Sequence, residues 1–242
     1  MSKLEELKAL LQASQRVVAL TGAGISTESG IPDFRSQTGI YNTVTRPLMF
    51  SPWFIRWFPD RWYKTLAPMY RTIRKAVPNA GHRALKRLEL AGKRVDIVTQ
   101  NIDGLHQAAG STFVHQVHGR LDRMRCMKCG DCCALTPQHS ATVSKTGKAP
   151  RCRCGGALRP DIVMFGELLP EEPMRLSKLA MLEADVILVL GTSLCVSTGL
   201  NLLRYRVEGT PVVVINRDST AADEFADIVI HDSIGETLAQ AV

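Results

Sequence analysis

The chain is predicted to be of the α/β class, a parallel sheet with helices on both faces. Three observations lead there. Short apolar, β-branched segments recur along the chain: Arg16–Leu20, Val95–Thr99, Asp185–Leu190, Pro211–Ile215 and Ala226–Ile230 read as strands buried on both sides. Helix-like stretches such as Ala80–Ala91 and Pro173–Glu183 lie between them. Glycines follow the first strand directly, at Gly22 and Gly24, where an open α/β sheet turns into its ligand crevice.

Length and composition agree with this class. A chain of 242 residues with 45% hydrophobic and 22% charged residues supports one sizeable core and excludes a disordered or fibrous chain. The longest apolar run, Val186 to Leu190, is of strand length and far short of the ~18 residues of a membrane helix. The opening segment MSKLEELKALLQAS places Glu5 and Glu6 among its leucines, so it reads as an amphipathic helix and not as a secretion signal. The expectation is a cytoplasmic protein. Thirty basic residues against 23 acidic leave a net charge of +7. They are scattered in small groups at Arg71–Lys75, Lys86–Arg94 and Arg151–Arg159, which suits a solvated basic surface and gives no reason to expect nucleic acid.

Two segments interrupt the β/α rhythm. Residues 36–77 hold most of the large aromatics, among them Tyr41, Phe50, Trp53, Trp57, Phe58, Trp62 and Tyr63, at helical spacing. They are read as a small helical lobe whose aromatics mostly fill core. Residues 120–159 hold six of the seven cysteines, Cys126, Cys129, Cys132, Cys133, Cys152 and Cys154. Neither is long enough to stand alone, so the expectation is a single domain over residues 1–242 with two insertions. In a reducing compartment such a cluster indicates a metal. Cys126-x2-Cys129 is a thiolate pair, and Cys152-x-Cys154 followed by two glycines is its second half. Four thiolates suit a closed, tetrahedral, structural Zn2+ site. The tight Cys-x-Cys spacing leaves Cys132 or Cys133 open as a substitute for one member.

The residues after the first strand, Thr21-Gly22-Ala23-Gly24-Ile25-Ser26-Thr27, match the dinucleotide fingerprint imperfectly, because Thr27 stands where the third glycine belongs. They still allow close backbone approach to a diphosphate. A second strand ends in Gln100-Asn101-Ile102-Asp103-Gly104, polar groups that suit ribose hydroxyls and a carboxamide. His118, followed by Gly119, is the histidine best placed to take a proton at neutral pH, whereas His115 reads as structural.

The ordered set of these motifs resembles the sirtuins, NAD-dependent protein deacylases. It comprises Gly24-Ile25-Ser26 with Ser29-Gly30-Ile31-Pro32-Asp33-Phe34-Arg35, then Gln100–His106, Val117-His118-Gly119 and the cysteine pairs. It continues through Arg159–Glu167, Gly191-Thr192-Ser193-Leu194 and Ile215-Asn216. The match runs from about Arg16 to Ile230, at the spacing of compact bacterial members, and implies a Rossmann-like core. The resemblance implies NAD as co-substrate, held by Gly22, Ala23, Gly24, Ser26, Thr27, Asp33, Phe34, Arg35, Tyr41, Gln100, Asn101, Ile102, Asp103, Gly191, Thr192, Ser193, Asn216 and Arg217. It implies acyl-lysine proteins as partners, bound at Val163, Met164, Phe165, Gly166, Glu167, Cys195 and Val196. His118 would be the general base and Asn101 its companion at the nicotinamide ribose. In the implied reaction the acetyl-lysine oxygen attacks C1′ of that ribose and nicotinamide leaves. A deprotonated ribose hydroxyl then captures the imidate carbon, and water yields free lysine and O-acetyl-ADP-ribose. Mono-ADP-ribosyl transfer and an idle NAD sensor are the rival readings. A monomer is expected.

Family members that prefer acidic acyl groups carry a Tyr-x-x-Arg pair in the lobe. Aligned on Pro78-Asn79-Ala80-Gly81-His82, this chain offers Tyr63 but has Leu66 in the arginine place, with Arg61, Lys64 and Arg71 as nearby cations. The expectation is a deacetylase with poor activity on succinyl-lysine.

Overall fold

The computed structural model describes residues 2–33, 39 and 47–242. Phe34, Arg35 and Tyr41 lie outside the described residues. In chain order the first elements are α1 (Lys3–Ala13), β1 (Arg16–Thr21), a 3-10 segment (Ala23–Ser29), a short 3-10 turn (Pro47–Phe50), α2 (Pro52–Trp57), α3 (Pro59–Lys75) and α4 (Ala80–Leu90). Then come β2 (Arg94–Thr99), α5 (Leu105–Ala108), β3 (Phe113–Gln116), β4 (Gly119–Cys126), β5 (Cys132–Ala134), α6 (Pro137–Thr146) and β6 (Leu158–Ile162). The chain continues with α7 (Glu171–Glu183), β7 (Val186–Leu190), α8 (Ser197–Leu203), β8 (Val212–Ile215), β9 (Ile228–Ile230) and α9 (Ile234–Ala241).

Six strands form one sheet in the order β3-β2-β1-β7-β8-β9, all parallel. The strands β7, β8 and β9 are apolar throughout, and β1 and β2 nearly so, because both faces are covered. Val17, Ala19, Val95, Ile97, Val186 and Leu188 point to a face packed by Leu7 and Leu11 of α1, Ala84 and Leu85 of α4, and Leu238 of α9. Val18, Leu20, Val98, Ile187 and Val189 point the other way, onto Met181 of α7 and Leu202 of α8. Alternation along the central strands therefore divides their apolar residues between two cores, while Asp96 of β2 and His115 of β3 are buried as a hydrogen-bonded pair at 2.8 Å. Truncating a side chain such as Leu188 or Met181, both fully buried, costs about 2–5 kcal/mol through lost transfer energy and the cavity left behind.

The strands β7, β8 and β9 begin a residue or two later than expected. Asp185 and Asp227 precede β7 and β9, and their carboxylates accept backbone amides at the starts of neighbouring strands. Asp185 takes Gln15 N and Arg16 N, and Asp227 takes Val212 N, all at 2.8 Å. These aspartates pin the strand ends through their side chains as well as through their own amides, which donate to Arg16 O and Val212 O at 2.9 Å.

The second sheet is antiparallel, β5-β4-β6. It shares one core with the helical lobe: Phe50, Ile55, Trp62, Tyr63 and Leu66 pack with Met124, Leu158, Ile162 and Met164. Two polar ties reinforce the contact: Tyr63 Oη donates to Leu158 O at 2.9 Å and Ala149 N to Asp60 Oδ1 at 2.8 Å. Within the lobe, Trp62 Nε1 donates to Met49 O at 2.9 Å. Core filling does not account for every lobe aromatic, since Trp53, Trp57 and Phe58 are exposed. Helix α2 is only six residues long and buries one of them, Ile55. No helix among the described residues is long and apolar enough to cross a membrane.

Two imidazoles pack against each other in a tilted contact, His82 of α4 and His106 of α5, with ring centroids 4.7 Å apart and planes at 57°. His82 Nδ1 lies 3.0 Å from Asn79 Oδ1, and His106 Nε2 lies 3.1 Å from Thr21 Oγ1. Burial lowers both pKa values, His82 to about 4 and His106 well below its ordinary value. Both rings are therefore neutral when folded. Above pH ~6.5 they are neutral in the unfolded chain as well, and no penalty arises. As pH falls below that, the unfolded chain binds protons that the folded chain refuses, so stability declines. We expect denaturant titrations to show a loss on the order of 1 kcal/mol per imidazole between pH 7.5 and 5.5. The decline should be shallower in His106→Gln. A stability independent of pH over this range would contradict the account.

Candidate active site and metal centre

Thr21 of β1 pairs with both Thr99 of β2 and Leu190 of β7, so three strands end level at their C-terminal edge. The chain runs from β1 to one side through β2 and β3, and returns to build β7, β8 and β9 on the other side. The order of the strands therefore reverses between β1 and β7, and a crevice forms at that edge. A cavity of about 580 Å3 lies there.

One wall is the 3-10 segment Ala23–Ser29. Gly22 N donates to Leu190 O at 3.1 Å and Gly24 N to Gly191 O at 2.8 Å. A Cβ on Gly24 would lie 2.7 Å from Gly191 Cα, and one on Gly22 2.6 Å from Thr192 Cβ. The two glycines thus allow one loop to pass over the other, a reason distinct from the diphosphate approach expected from the sequence. Ala23, Gly24, Ser26 and Asp33 line the cavity, whereas Gly22 is buried beneath it. Thr27 is not in the lining, because its hydroxyl turns back to Gly24 O at 2.8 Å.

The second wall is the turn after β2. Asn101 Nδ2 donates to Gly22 O at 2.9 Å and to Ser26 Oγ at 3.2 Å, while Ser26 Oγ donates to Asp103 Oδ2 at 2.7 Å. Asp103 Oδ1 accepts Leu105 N at 2.9 Å. Burial raises the Asp103 pKa, and the bonds from Leu105 and Ser26 act against that rise. The network fixes the Asn101 amide and the Asp103 carboxylate against the glycine loop. Gln100 and Ile102 line the same wall, and Gln100 Nε2 is buried without a partner among the described residues. It is a donor available to a ligand hydroxyl or carbonyl.

His118 stands between β3 and β4 and lines the cavity. Its Nε2 lies 3.5 Å from Thr198 Oγ1. Burial lowers its pKa, opposed by a hydrogen bond to the Gln100 backbone. The ring is thus neutral near pH 7 and able to accept a proton. Gly119, at φ +80, is tightly packed, and a Cβ there would lie 2.8 Å from Ile162 Cα. This glycine lets the turn after His118 press onto β6. His115 instead pairs with Asp96 at 2.8 Å, buried in the sheet away from the cavity.

The remaining lining comes from residues 163–167 and 191–196. Val163, Met164, Phe165, Gly166 and Glu167 all contribute, as do Gly191, Thr192, Ser193 and Val196. Cys195 is exposed and does not line the cavity, and its Sγ faces Ser193 O at 3.8 Å. Asn216 lines it at the end of β8, but Arg217 is exposed and turned away from the lining set. Sequence reasoning missed the apolar contributors Ile31, Phe50, Met69 and Ile73. These lie in or beside the lobe, and only the aromatic and apolar spacing there hinted at them. It also missed Arg159, which braces the 163–167 turn by donating to Glu167 Oε1 at 2.6 Å while Met164 N donates to Glu167 Oε2 at 2.9 Å.

The sulfurs of Cys126, Cys129, Cys152 and Cys154 all lie within 4.8 Å of one another. Cys126 Sγ is 3.5 Å from Cys154 Sγ, and Cys129 Sγ is 3.8 Å from Cys152 Sγ. Four sulfurs at ~2.3 Å from one ion stand about 3.8 Å apart, so the set fits tetrahedral Zn2+. Two similar turns build it. Gly130 N bonds Cys126 O and Gly155 N bonds Cys152 O, with both glycines at positive φ, 78° and 80°. A Cβ at Gly156 would lie 2.7 Å from Cys126 Sγ, so only glycine leaves the sulfurs room. Cys132 and Cys133 lie on β5 outside this group, and it is Cys152 and Cys154 whose sulfurs stand with those of Cys126 and Cys129.

Taken together, a parallel sheet with a ligand crevice at its switch point and an attached four-cysteine module defines a nucleotide-binding α/β protein of a particular kind. The model of the Sir2 family matches residues 22–198. The NAD-dependent protein deacetylase of Clostridium acetobutylicum is 40% identical over 98% of this chain and 97% of its own length. That of Cutibacterium acnes is 42% identical over 97% and 95%. Among solved structures, a Sir2 histidine-to-alanine variant with a deacetylated p53 peptide and 3′-O-acetyl ADP-ribose superposes with a TM-score of 0.90 at 33% identity, covering 99% of this chain and 97% of that one. A Sir2 structure with p53 peptide and NAD+ gives 0.88 at 32%, covering 98% and 96%. The chain belongs to the Sir2 family.

The metal site yields a direct expectation. Elemental analysis of freshly purified, unchelated protein should find one zinc per chain, and chelation should lower the melting temperature, as removal of a structural ion does. Cys152→Ser should lose the zinc, whereas Cys132→Ser should keep it. Zinc-free protein of undiminished stability would refute the assignment.

Proposed function

We propose that this chain is an NAD-dependent protein-lysine deacetylase that transfers the acetyl group of acetyl-lysine to ADP-ribose and releases nicotinamide. The observation that carries the reading is the meeting of His118, Asn101 and Asp103 around one cavity, with the histidine held neutral by burial. Relatives named NAD-dependent protein deacetylase support it, as do Sir2 structures bearing a p53 peptide with NAD+ or with 3′-O-acetyl ADP-ribose. The residues fit the co-substrate. They offer a glycine-built loop, an orphaned amide at Gln100 and a fixed amide–carboxylate pair.

When bound, NAD supplies an electrophilic ribose carbon with nicotinamide as its leaving group. The chain's own residues do the rest. Asn101 and Asp103 present an amide and a carboxylate held rigidly through Ser26, so that orientation is set before substrate arrives. His118 takes a proton from a ribose hydroxyl. Val163, Met164 and Phe165 give the acyl-lysine an apolar channel, and Ile31, Phe50 and Ile73 help to exclude water. Cys126, Cys129, Cys152 and Cys154 hold Zn2+, which secures the module that carries β6 into the site. The partners are acyl-lysine proteins, and the chain is proposed to act as a monomer.

Changing His118→Ala should lower deacetylation by about 10²-fold or more while NAD binding and melting temperature stay near the parent. The acidic limb of kcat/KM in the parent should lie below the ordinary histidine value of ~6.5, because burial favours the neutral base. Residual activity within tenfold of the parent would remove His118 from this role.

Acyl choice follows from the charge of the lining. The ionisable side chains around the cavity are the carboxylates Asp33, Asp103, Glu167 and Asp218 and the imidazole of His118, with no lysine or arginine among the described residues. Tyr63 spends its hydroxyl on Leu158 O, Leu66 is 3% exposed, and Arg61, Lys64 and Arg71 face solvent. A succinyl carboxylate would be buried unpaired, at a cost of several kcal/mol. Matched acetyl- and succinyl-lysine peptides should therefore differ in kcat/KM by more than about tenfold, the ratio that ~1.4 kcal/mol already gives. A preference for succinyl would overturn this reading.

A further inference from the structure

The 3-10 segment Ala23–Ser29 carries one wall of the crevice, yet its own hydrogen bonding is weak. Runs of 3-10 helix beyond three or four residues are uncommon, and this one has seven. Its position must be set by what grips it from outside. Ser26 is gripped from the cavity side by Asn101 and Asp103. Asn79 Nδ2 grips the back, donating to Ile25 O at 2.7 Å and Ser29 Oγ at 3.0 Å. A third grip comes from the far end of the chain. Glu28 Oε1 accepts the Ser233 hydroxyl at 2.9 Å and Gly235 N at 3.3 Å, at the N-terminus of α9.

We propose that Glu28 is a positioning residue for NAD, locking the cofactor-binding segment onto the first turn of α9. The proposal rests on the reading of the cavity as an NAD site. The geometry calls for a side-chain oxygen acceptor at this position. Ser233 Oγ also accepts Glu236 N at 3.2 Å as the helix cap, so its single hydrogen is free only to donate to Glu28. An ionised acceptor there shares the cap with the helix and meets the positive end of the helix dipole. Gly235 completes the fit, because a Cβ at that position would collide with Glu28 Oε2 and lie 3.2 Å from Ala80 Cβ. Helix α9 cannot yield easily, since Leu238 and Ile234 are buried in the sheet core against α1 and α4. Displacement of the carboxylate therefore moves the loop and not the helix. Glu28 is two residues from Ser26 but does not itself line the cavity, so its effect reaches NAD through the segment.

The test uses the full chain in steady-state deacetylation and direct NAD titration. Glu28→Ala should raise KM and Kd for NAD by about three- to tenfold, with kcat and KM for the acetyl-lysine peptide within about twofold of the parent. Glu28→Gln keeps an oxygen acceptor and should recover most of the loss. Gly235→Ala should mimic Glu28→Ala, and the double variant Glu28→Ala with Gly235→Ala should be no worse than either alone, because the clash needs both partners. Thr136→Ala, which removes the cap of α6 in the zinc module, serves as a control for lost stability, and its KM for NAD should stay unchanged. A lowered melting temperature with unchanged NAD binding in Glu28→Ala would reduce Glu28 to a structural tie and overturn the proposal. So would additive effects in the double variant. If the parent neither binds nor consumes NAD, it is the functional reading that fails, and that outcome is separate from any difference between variants.

Discussion

The crossing of two backbone loops at the switch point of the sheet is the constraint on which the rest depends. Gly22 and Gly24 after β1 pass against Gly191 and Thr192 after β7, joined by amide-to-carbonyl bonds of 3.1 and 2.8 Å. No side chain fits between them. Because the loops touch here, β1, β2 and β7 end level, and the groups that follow each strand converge on one cavity. Ser26, Asn101 and Asp103 can then form a single network across loops almost 80 residues apart in sequence. The rigidity of that network gives orientation to groups that would otherwise sit on mobile turns.

The lobe and the zinc module are coupled more closely than two separate insertions would be. Trp62, Tyr63 and Leu66 share a core with Met124, Leu158 and Ile162. The same unit supplies Met164 and Phe50 to the crevice wall. Cys126, at the end of β4 beside β6, is itself part of that core at 2% exposure. The metal therefore acts at a distance from the chemistry by holding the sheet against which the substrate-side turn folds.

Much of this was legible in the sequence, for identifiable reasons. Five strands were readable because residues such as Val186 to Leu190 are apolar on both faces, a pattern no surface strand shows. The crevice residues were readable because polar groups directly follow those strands. The site also depends on long-range packing that local pattern does not encode. Arg159 braces Glu167, Ile31 and Met69 reach the cavity, and Cys195 turns outward although its neighbour Val196 lines the wall. The glycine loop was recognised, but its reason was only half visible. Spacing suggests approach to a ligand, whereas the contact is with Gly191, 167 residues after Gly24 (191 − 24) and placed by β7. Likewise, no spacing rule joins Glu28 to Ser233.

The central claim is that the crevice couples breakage of the nicotinamide bond to removal of an acyl group. Its most direct measurement is product stoichiometry after incubation with NAD and an acetyl-lysine peptide, followed by mass spectrometry. The account predicts equal amounts of nicotinamide, deacetylated peptide and O-acetyl-ADP-ribose. Nicotinamide release with the acetyl-lysine intact and ADP-ribose attached to protein would contradict it.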